Sequence, residues 1–226
     1  MPATLFETPE VSGEFLKGEI GLGAATGVEY VTVKNVLATP PRSSGSRISG
    51  TSSEIAFRLG LGVGKRFEIS YSTPFVLAKW QFLGSNRLTA QSEQWLGAVM
   101  AGYANSHNKD TASSLLTDGI ETAFTRVDTE AESLGMIIGY RFNKAMLMYG
   151  TLNEMFIKSK TAINFETDKY QYKDNAHQRA AMLGIRWTLD DQKFIGIEGS
   201  LSLNSMDNAE DFTGRNLGVL FGAQWY

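Results

Sequence analysis

Apolar residues alternate with small or polar ones in nearly every segment of the chain, the signature of strands with two unlike faces. In the clearest run, Ile20, Leu22, Ala24, Thr26, Val28 and Tyr30 face one way and Lys17, Glu19, Gly21, Gly23, Ala25, Gly27 and Glu29 the other. The phase holds through Gly27, which predicts one long strand. The same period recurs at Ile55, Phe57, Leu59, Leu61 and Val63, and again at Phe67, Ile69 and Tyr71. After Tyr71 the phase slips to Val76, Ala78, Trp80 and Phe82. A one-residue slip would turn every side chain of a continuous strand over, so Ser72-Thr73-Pro74-Phe75 is predicted to be a tight turn. Further strands follow at 94–104, 120–142, 145–158, 183–189, 195–203 and 217–225, giving about ten. No segment carries a convincing 3.6-residue apolar period.

The connections fall into two classes. Gly62-Val63-Gly64, Asn143-Lys144 and Asp190-Asp191-Gln192 are short, and a three-residue turn at Val63 would place Arg58 nearly opposite Glu68. Residues 39–51, 105–119, 161–175 and 206–215 are long and polar and are predicted to be loops. Short and long connections largely alternate, which gathers the long ones at one end. The exceptions are the short turn at 72–75 on the long side and the fairly long connection 85–93 on the short side. An even strand number suits an antiparallel barrel with both termini at one end. The predicted fold class is therefore all-β, an antiparallel up-and-down barrel of about ten strands, with twelve or eight as alternatives. Twelve would follow from splitting the first strand at Gly27 and adding one near 112–120. The domain reading is a single barrel over 1–226, with 1–13 as an N-terminal extension.

Alternation alone does not say which face meets water. A soluble lipid carrier turns its aliphatic face inward, whereas an outer-membrane barrel turns it to lipid. The glycines favour the second arrangement. Gly21, Gly23, Gly60, Gly62, Gly135, Gly139, Gly196, Gly218 and Gly222 all fall on the non-aliphatic face, where they weaken a water-exposed sheet but make room in a crowded interior. Aromatic residues near strand ends, among them Tyr30, Tyr71, Trp80, Trp95, Tyr103, Tyr140, Trp187 and Trp225, fit two interfacial girdles. The chain also closes on Phe221-Gly222-Ala223-Gln224-Trp225-Tyr226. This ending, with Gly218 three residues before Phe221, resembles the C-terminal strand of bacterial outer-membrane β-barrel proteins. The resemblance implies a transmembrane barrel, outer-membrane lipid and lipopolysaccharide as surroundings, and recognition by the barrel-assembly machinery through that strand. It also implies export. Met1-Pro2-Ala3-Thr4-Leu5-Phe6-Glu7 carries no basic stretch followed by an apolar one, so the expectation is that a signal segment has been removed.

Outward aliphatic faces leave Lys17, Glu19, Glu29, Glu54, Arg58, Arg66, Glu68, Arg141, Arg186 and Glu198 as the candidate lumen lining. Five are basic and five acidic, which favours paired charges and a plugged interior over a pore of one sign. A narrow passage for small polar solutes is the alternative.

The 226 residues include no cysteine, 23 glycines and 5 prolines, and the formal net charge is −3. Without thiols there is no disulfide framework and no thiolate metal site. The charge balance lacks the excess of Lys and Arg that nucleic acid requires. The mean hydropathy of −0.16 and the absence of a 20-residue apolar run exclude only helical membrane spans. Catalytic signals are thin. His107 with Asp110, and His177 with Asp174, fall at the long-loop end near Ser106 and Ser113, but no motif fixes a nucleophile and none matches the ten-stranded omptin proteases. Asp207, Glu210 and Asp211, and the run Asp128, Glu130 and Glu132, lack a metal-ligand spacing and read as solvated. No enzyme activity, cofactor or metal is expected.

Overall fold

The computed structural model describes residues 5–35, 42–116, 119–164, 169–190, 192–206 and 212–225. Among them lie ten strands: β1 (Gly18–Asn35), β2 (Arg42–Gly62), β3 (Phe67–Ser72), β4 (Phe75–Leu83), β5 (Gln94–Leu116), β6 (Gly119–Arg141), β7 (Met146–Asn164), β8 (Lys169–Thr188), β9 (Lys193–Met206) and β10 (Phe212–Trp225). Each pairs antiparallel with its sequence neighbours, and β1 pairs with β10 from Gly18↔Trp225 to Tyr30↔Thr213, closing the barrel. Closure joins the first strand to the last, while above the short β3 and β4 the described residues Arg42 to Ala56 of β2 and Ala104 to Leu116 of β5 are laddered on one side only. β1 runs unbroken through Gly27, and residues 112–116 belong to β5, so neither basis for a twelve-strand count holds.

The aliphatic face is outside. Ile55, Leu134, Leu152, Leu183, Leu201 and Leu203 are exposed, while the alternate positions Arg58, Ser133, Asn153, Met182, Ser200 and Ser202 are buried. A water-soluble chain would bury such leucines at about 1.5–3 kcal/mol each; on the outside of a closed barrel they form a belt suited to hydrocarbon. Aromatic rings rim it at the short-turn end. Trp95 meets Tyr140 edge-on at 5.2 Å, Tyr140 meets Phe142 at 5.0 Å, and Trp80 lies between Phe67 and Phe82 at 6.3 Å from each.

The long polar connections are mostly strand. Asn105 to Leu116 pair residue by residue with Gly119 to Glu130, and Lys158 to Asn164 pair with Lys169 to Asn175. At about 3.3 Å per residue the 23-residue β5 and β6 reach about 75 Å, against an apolar band of about 25 Å. Their upper halves therefore stand clear of the belt as ribbons. A two-stranded ribbon clear of the belt has no buried face, so no hydrophobic alternation marks it, and its backbone ladder pairs residue by residue. β3 and β4, with 6 and 9 residues, make no such extension and leave that side of the rim low.

The short turns are held locally. Thr73 and Pro74, joined by a cis peptide, connect β3 to β4. Asn143 Oδ1 accepts from the N–H groups of Ala145 and Met146, each at 2.8 Å. Asp190 Oδ1 accepts from the N–H of Gln192 at 2.8 Å and of Lys193 at 2.7 Å. The β2–β3 turn differs from expectation: Val63 N–H donates to Phe67 C=O at 3.0 Å, so the turn centres on Lys65 and Arg58 stands opposite Ser72, not Glu68.

Two outcomes test these assignments. Ile185 and Ile197 face each other across β8 and β9, both exposed in the belt and close to its short-turn rim; Arg at either site is expected to lower the unfolding free energy in lipid, by less than the ~2–4 kcal/mol of a mid-membrane site, whereas Leu is tolerated. The N–H groups of Gln192 and Lys193 hold the Asp190 carboxyl below the usual aspartate range. Its stabilisation is therefore complete above the unfolded value of about 4 and is lost as pH falls through the lower folded value. Asp190→Ala should lower the unfolding midpoint at neutral pH, and the gap to the parent should narrow on acidification.

Candidate functional site

The most heavily built region is the barrel interior, and its centre is the N-terminal segment. Leu5 to Gly13 form neither helix nor strand, yet all nine residues are buried. An extended chain with no ladder must find side-chain partners for its backbone groups, and this strap finds them along its length. On β3 the inward side chains form a line of rungs: Glu68 Oε2 accepts from Ser12 N–H at 2.9 Å, Ser70 Oγ donates to Glu7 at 2.7 Å, and Ser72 Oγ donates to Leu5 C=O at 2.7 Å. Gln81 Oε1 accepts from Val11 N–H at 3.1 Å, and Lys79 Nζ donates to Thr8 C=O at 3.1 Å. At the far end Leu5 and Phe6 direct successive N–H groups onto Glu198 Oε1 at 2.8 and 3.2 Å, with Phe6 at φ +52°. That left-handed conformation costs about 1–3 kcal/mol, offset by two charge-assisted hydrogen bonds.

The charges lie at the strap's middle. Glu7 takes a bidentate pair from Arg58, Nε at 3.0 Å and a terminal nitrogen at 2.9 Å, and a third contact from Lys79 at 2.9 Å. Arg58 also meets Glu68 at 3.0 Å and pairs with Glu19. Arg141 Nε donates to Glu10 at 2.8 Å. Arg186 pairs with Glu19 at 2.5 Å and lies over the Phe194 ring at 3.6 Å. The connection 84–93, the long exception at the short-turn end, folds Arg87 inward, where it pairs with Glu19 and Glu68 at 3.0 Å each and donates to Glu10 C=O at 2.9 Å. Every carboxylate here has a donor, as a low-dielectric interior requires.

Glycines on the wall receive the strap. A Cβ at Gly218 would meet the Phe6 ring at 2.4 Å, and one at Gly139 would meet Pro9 Cγ at 2.9 Å. Leu5 packs into an apolar cluster with Phe75, Leu77, Tyr149 and Met155, so the far end of the strap is held by apolar contact as well as by Glu198.

The ten residues singled out from the sequence divide by depth. Glu19, Arg58, Glu68, Arg141, Arg186 and Glu198 are buried inside the barrel. Lys17 is half-buried just before β1. Glu54 is exposed, because β2 runs past the level that the strap fills, and Arg66 is exposed because the turn includes it, its guanidinium donating to Gln81 C=O at 3.1 Å. The side chain of Glu29 lies outside the described residues, as do Asp207, Glu210 and Asp211. Arg58 and Glu68 do meet, but diagonally: Arg58 reaches down past Gly60, where a Cβ would sit 3.1 Å from both groups.

Sequence reasoning missed Glu7, Glu10, Lys79 and Arg87. Lys79 was readable, since it alternates with Ala78 and Trp80; the strap was not, because it has no period. In the described contacts each histidine meets a carboxylate of the neighbouring strand. His107 Nδ1 lies 2.8 Å from Asp128, which also accepts from Arg126 at 2.9 Å. His177 Nε2 lies 2.8 Å from Glu154 and stacks on Phe156 at 4.8 Å. Both pairs fall on the outer face by strand parity, away from the barrel mouth.

The sequence matches no protein-family model, and comparison with curated proteins finds no match. Among solved structures, the outer membrane protease OmpT of Escherichia coli aligns at 12% identity and TM-score 0.47, over 97% of this chain and 98% of that one. The translocator domain of the autotransporter NalP from Neisseria meningitidis aligns at 10% and 0.44, covering 91% and 88%. Ail of Yersinia pestis aligns at 12% and 0.37, covering 92% and 99%. The chain is similar to bacterial outer-membrane β-barrels. The likeness is one of architecture.

Arg58 carries a checkable consequence. Arg58→Met leaves Glu7, Glu19 and Glu68 without their shared guanidinium and should cost about 3–5 kcal/mol in denaturant titrations of the folded barrel, while exposed Glu54→Gln should change stability by less than about 0.5 kcal/mol.

Proposed function

We propose that this chain is an integral outer-membrane barrel whose lumen is closed by its own N-terminal strap, and that it acts as a structural or surface-interaction protein. In this reading lipid and lipopolysaccharide surround the aliphatic belt, the short turns with the C-terminal strand face the periplasm, and the polar ribbons stand outside the cell. The C-terminal strand presents the barrel to the assembly machinery. The observation that carries the closed lumen is the burial of all nine residues from Leu5 to Gly13 against inward side chains of β3, β4, β6 and β9.

The lumen lining is then Glu19, Arg58, Glu68, Arg141, Arg186 and Glu198, joined by Lys79 and Arg87, with Lys17 and Arg66 at the lower rim and Glu54 above the strap. The ribbons supply the contact surface. They carry paired charges outward, as where Glu130 faces Lys158 and Asp128 faces Lys160 across β6 and β7, and a hydrated, charge-paired ribbon suits reversible contact with a polar partner. His107 and His177 belong to such pairs, which supports a structural role for them over catalysis.

Planar-bilayer recording tests the reading. The purified barrel, soluble only with detergent, is expected to insert without single-channel steps; reproducible steps from the parent chain would sink it.

A further inference from the structure

The buried charges inside the barrel divide unevenly between wall and strap. Among the described residues the cations Arg58, Lys79, Arg87, Arg141 and Arg186 all belong to the wall and its inturned connection. Three of the five buried carboxylates, Glu19, Glu68 and Glu198, are also on the wall, and the other two, Glu7 and Glu10, are on the strap. The interior is neutral only with the strap in place. Without it the wall keeps two excess cations.

The two strap carboxylates sit in built sites at successive heights. Nearest the short turns, Arg141 holds Glu10 and otherwise donates to Lys144 C=O at 2.7 Å. Deeper in, Arg58, Lys79 and Ser70 converge on Glu7 with contacts of 2.7 to 3.0 Å. Three donors around one carboxylate, two of them cationic, are the chemistry that recognises a free carboxylate or another small oxyanion. The path between the sites is one extended chain wide, because an extended chain fills it.

We propose that the strap is a tethered occupant of a carboxylate-binding, anion-selective passage, with Arg141 as its first station and Arg58 with Lys79 as its second. A lumen lined by excess Arg and Lys selects anions, and Glu7 and Glu10 compete for the stations that a mobile anion would use. The exposed stretch Glu14 to Leu16 joins strap to β1 at the short-turn end, so the tether leaves and re-enters from that side. The inference rests on the closed-lumen reading and adds a ligand class to it.

The test removes the strap after folding. A site-specific protease sequence is inserted between Phe15 and Leu16, the full chain is folded into a planar bilayer under a potassium chloride gradient, and the protease with high salt is added on the short-turn side. Before cleavage the membrane is expected to stay silent. After cleavage, steps should appear with a reversal potential displaced toward that of chloride, and citrate should block them. A synthetic peptide spanning residues 5–13 should close the passage again, and the same peptide carrying Glu7→Gln and Glu10→Gln should need about tenfold more or worse. A refolded chain lacking residues 5–13, with the parent's heat-modifiable gel mobility, is read in the same way. Steps that are cation-selective or unselective, equal potency of the two peptides, or silence from both strap-free proteins would each overturn the proposal. Steps before cleavage would instead overturn the closed-lumen reading.

Discussion

Arg58 is the residue on which the interior turns. Its guanidinium holds carboxylates from three separate parts of the chain: Glu7 of the strap, Glu19 of β1 and Glu68 of β3. In water each of these pairs would contribute little. Inside a barrel the loss of any partner leaves a buried charge without compensation, which costs far more than the intact pair contributes. The network therefore specifies more than it stabilises. It admits one position of the strap, because only there are the carboxylates of Glu7 and Glu10 both met.

That requirement reaches the rest of the architecture. The connection between β4 and β5 is long on the side where turns are short because Arg87 has to travel inward to Glu19 and Glu68. Gly60 lacks a side chain where Arg58 reaches down to Glu68, and Gly139 and Gly218 lack one where Pro9 and Phe6 press on the wall. The glycines thus trade strand propensity for space. Outside, the constraint is of the opposite kind. The belt needs only apolar surface, and the ribbons above it need only a hydrogen-bonded ladder and solvated side chains.

Much of the fold was legible in the period of two. Ten strands and the apolar side of each follow from alternation, because the two faces of each belt strand meet different media; that the apolar side points outward was legible in the glycines of the other face and the aromatic C-terminal strand. The ribbons were read as loops because, where neither face is buried, alternation carries no information. Of the interior, Glu19, Arg58, Glu68, Arg141, Arg186 and Glu198 could be named from their parity alone. Arg66 and Glu54 share a readable parity, yet depth along a strand, not parity, decides burial.

By itself, then, the sequence determined which side of each strand is apolar and that charges of both signs fall on the other side, since side-chain direction alternates strictly with residue number. Only the tertiary structure decided what fills the barrel. Leu5 to Gly13 have no period, and their partners lie from 51 to 193 residues away along the chain. Contacts of that range are fixed by closure of the sheet and by the demand that buried charges be neutralised, and neither leaves a local mark on the residues that satisfy it.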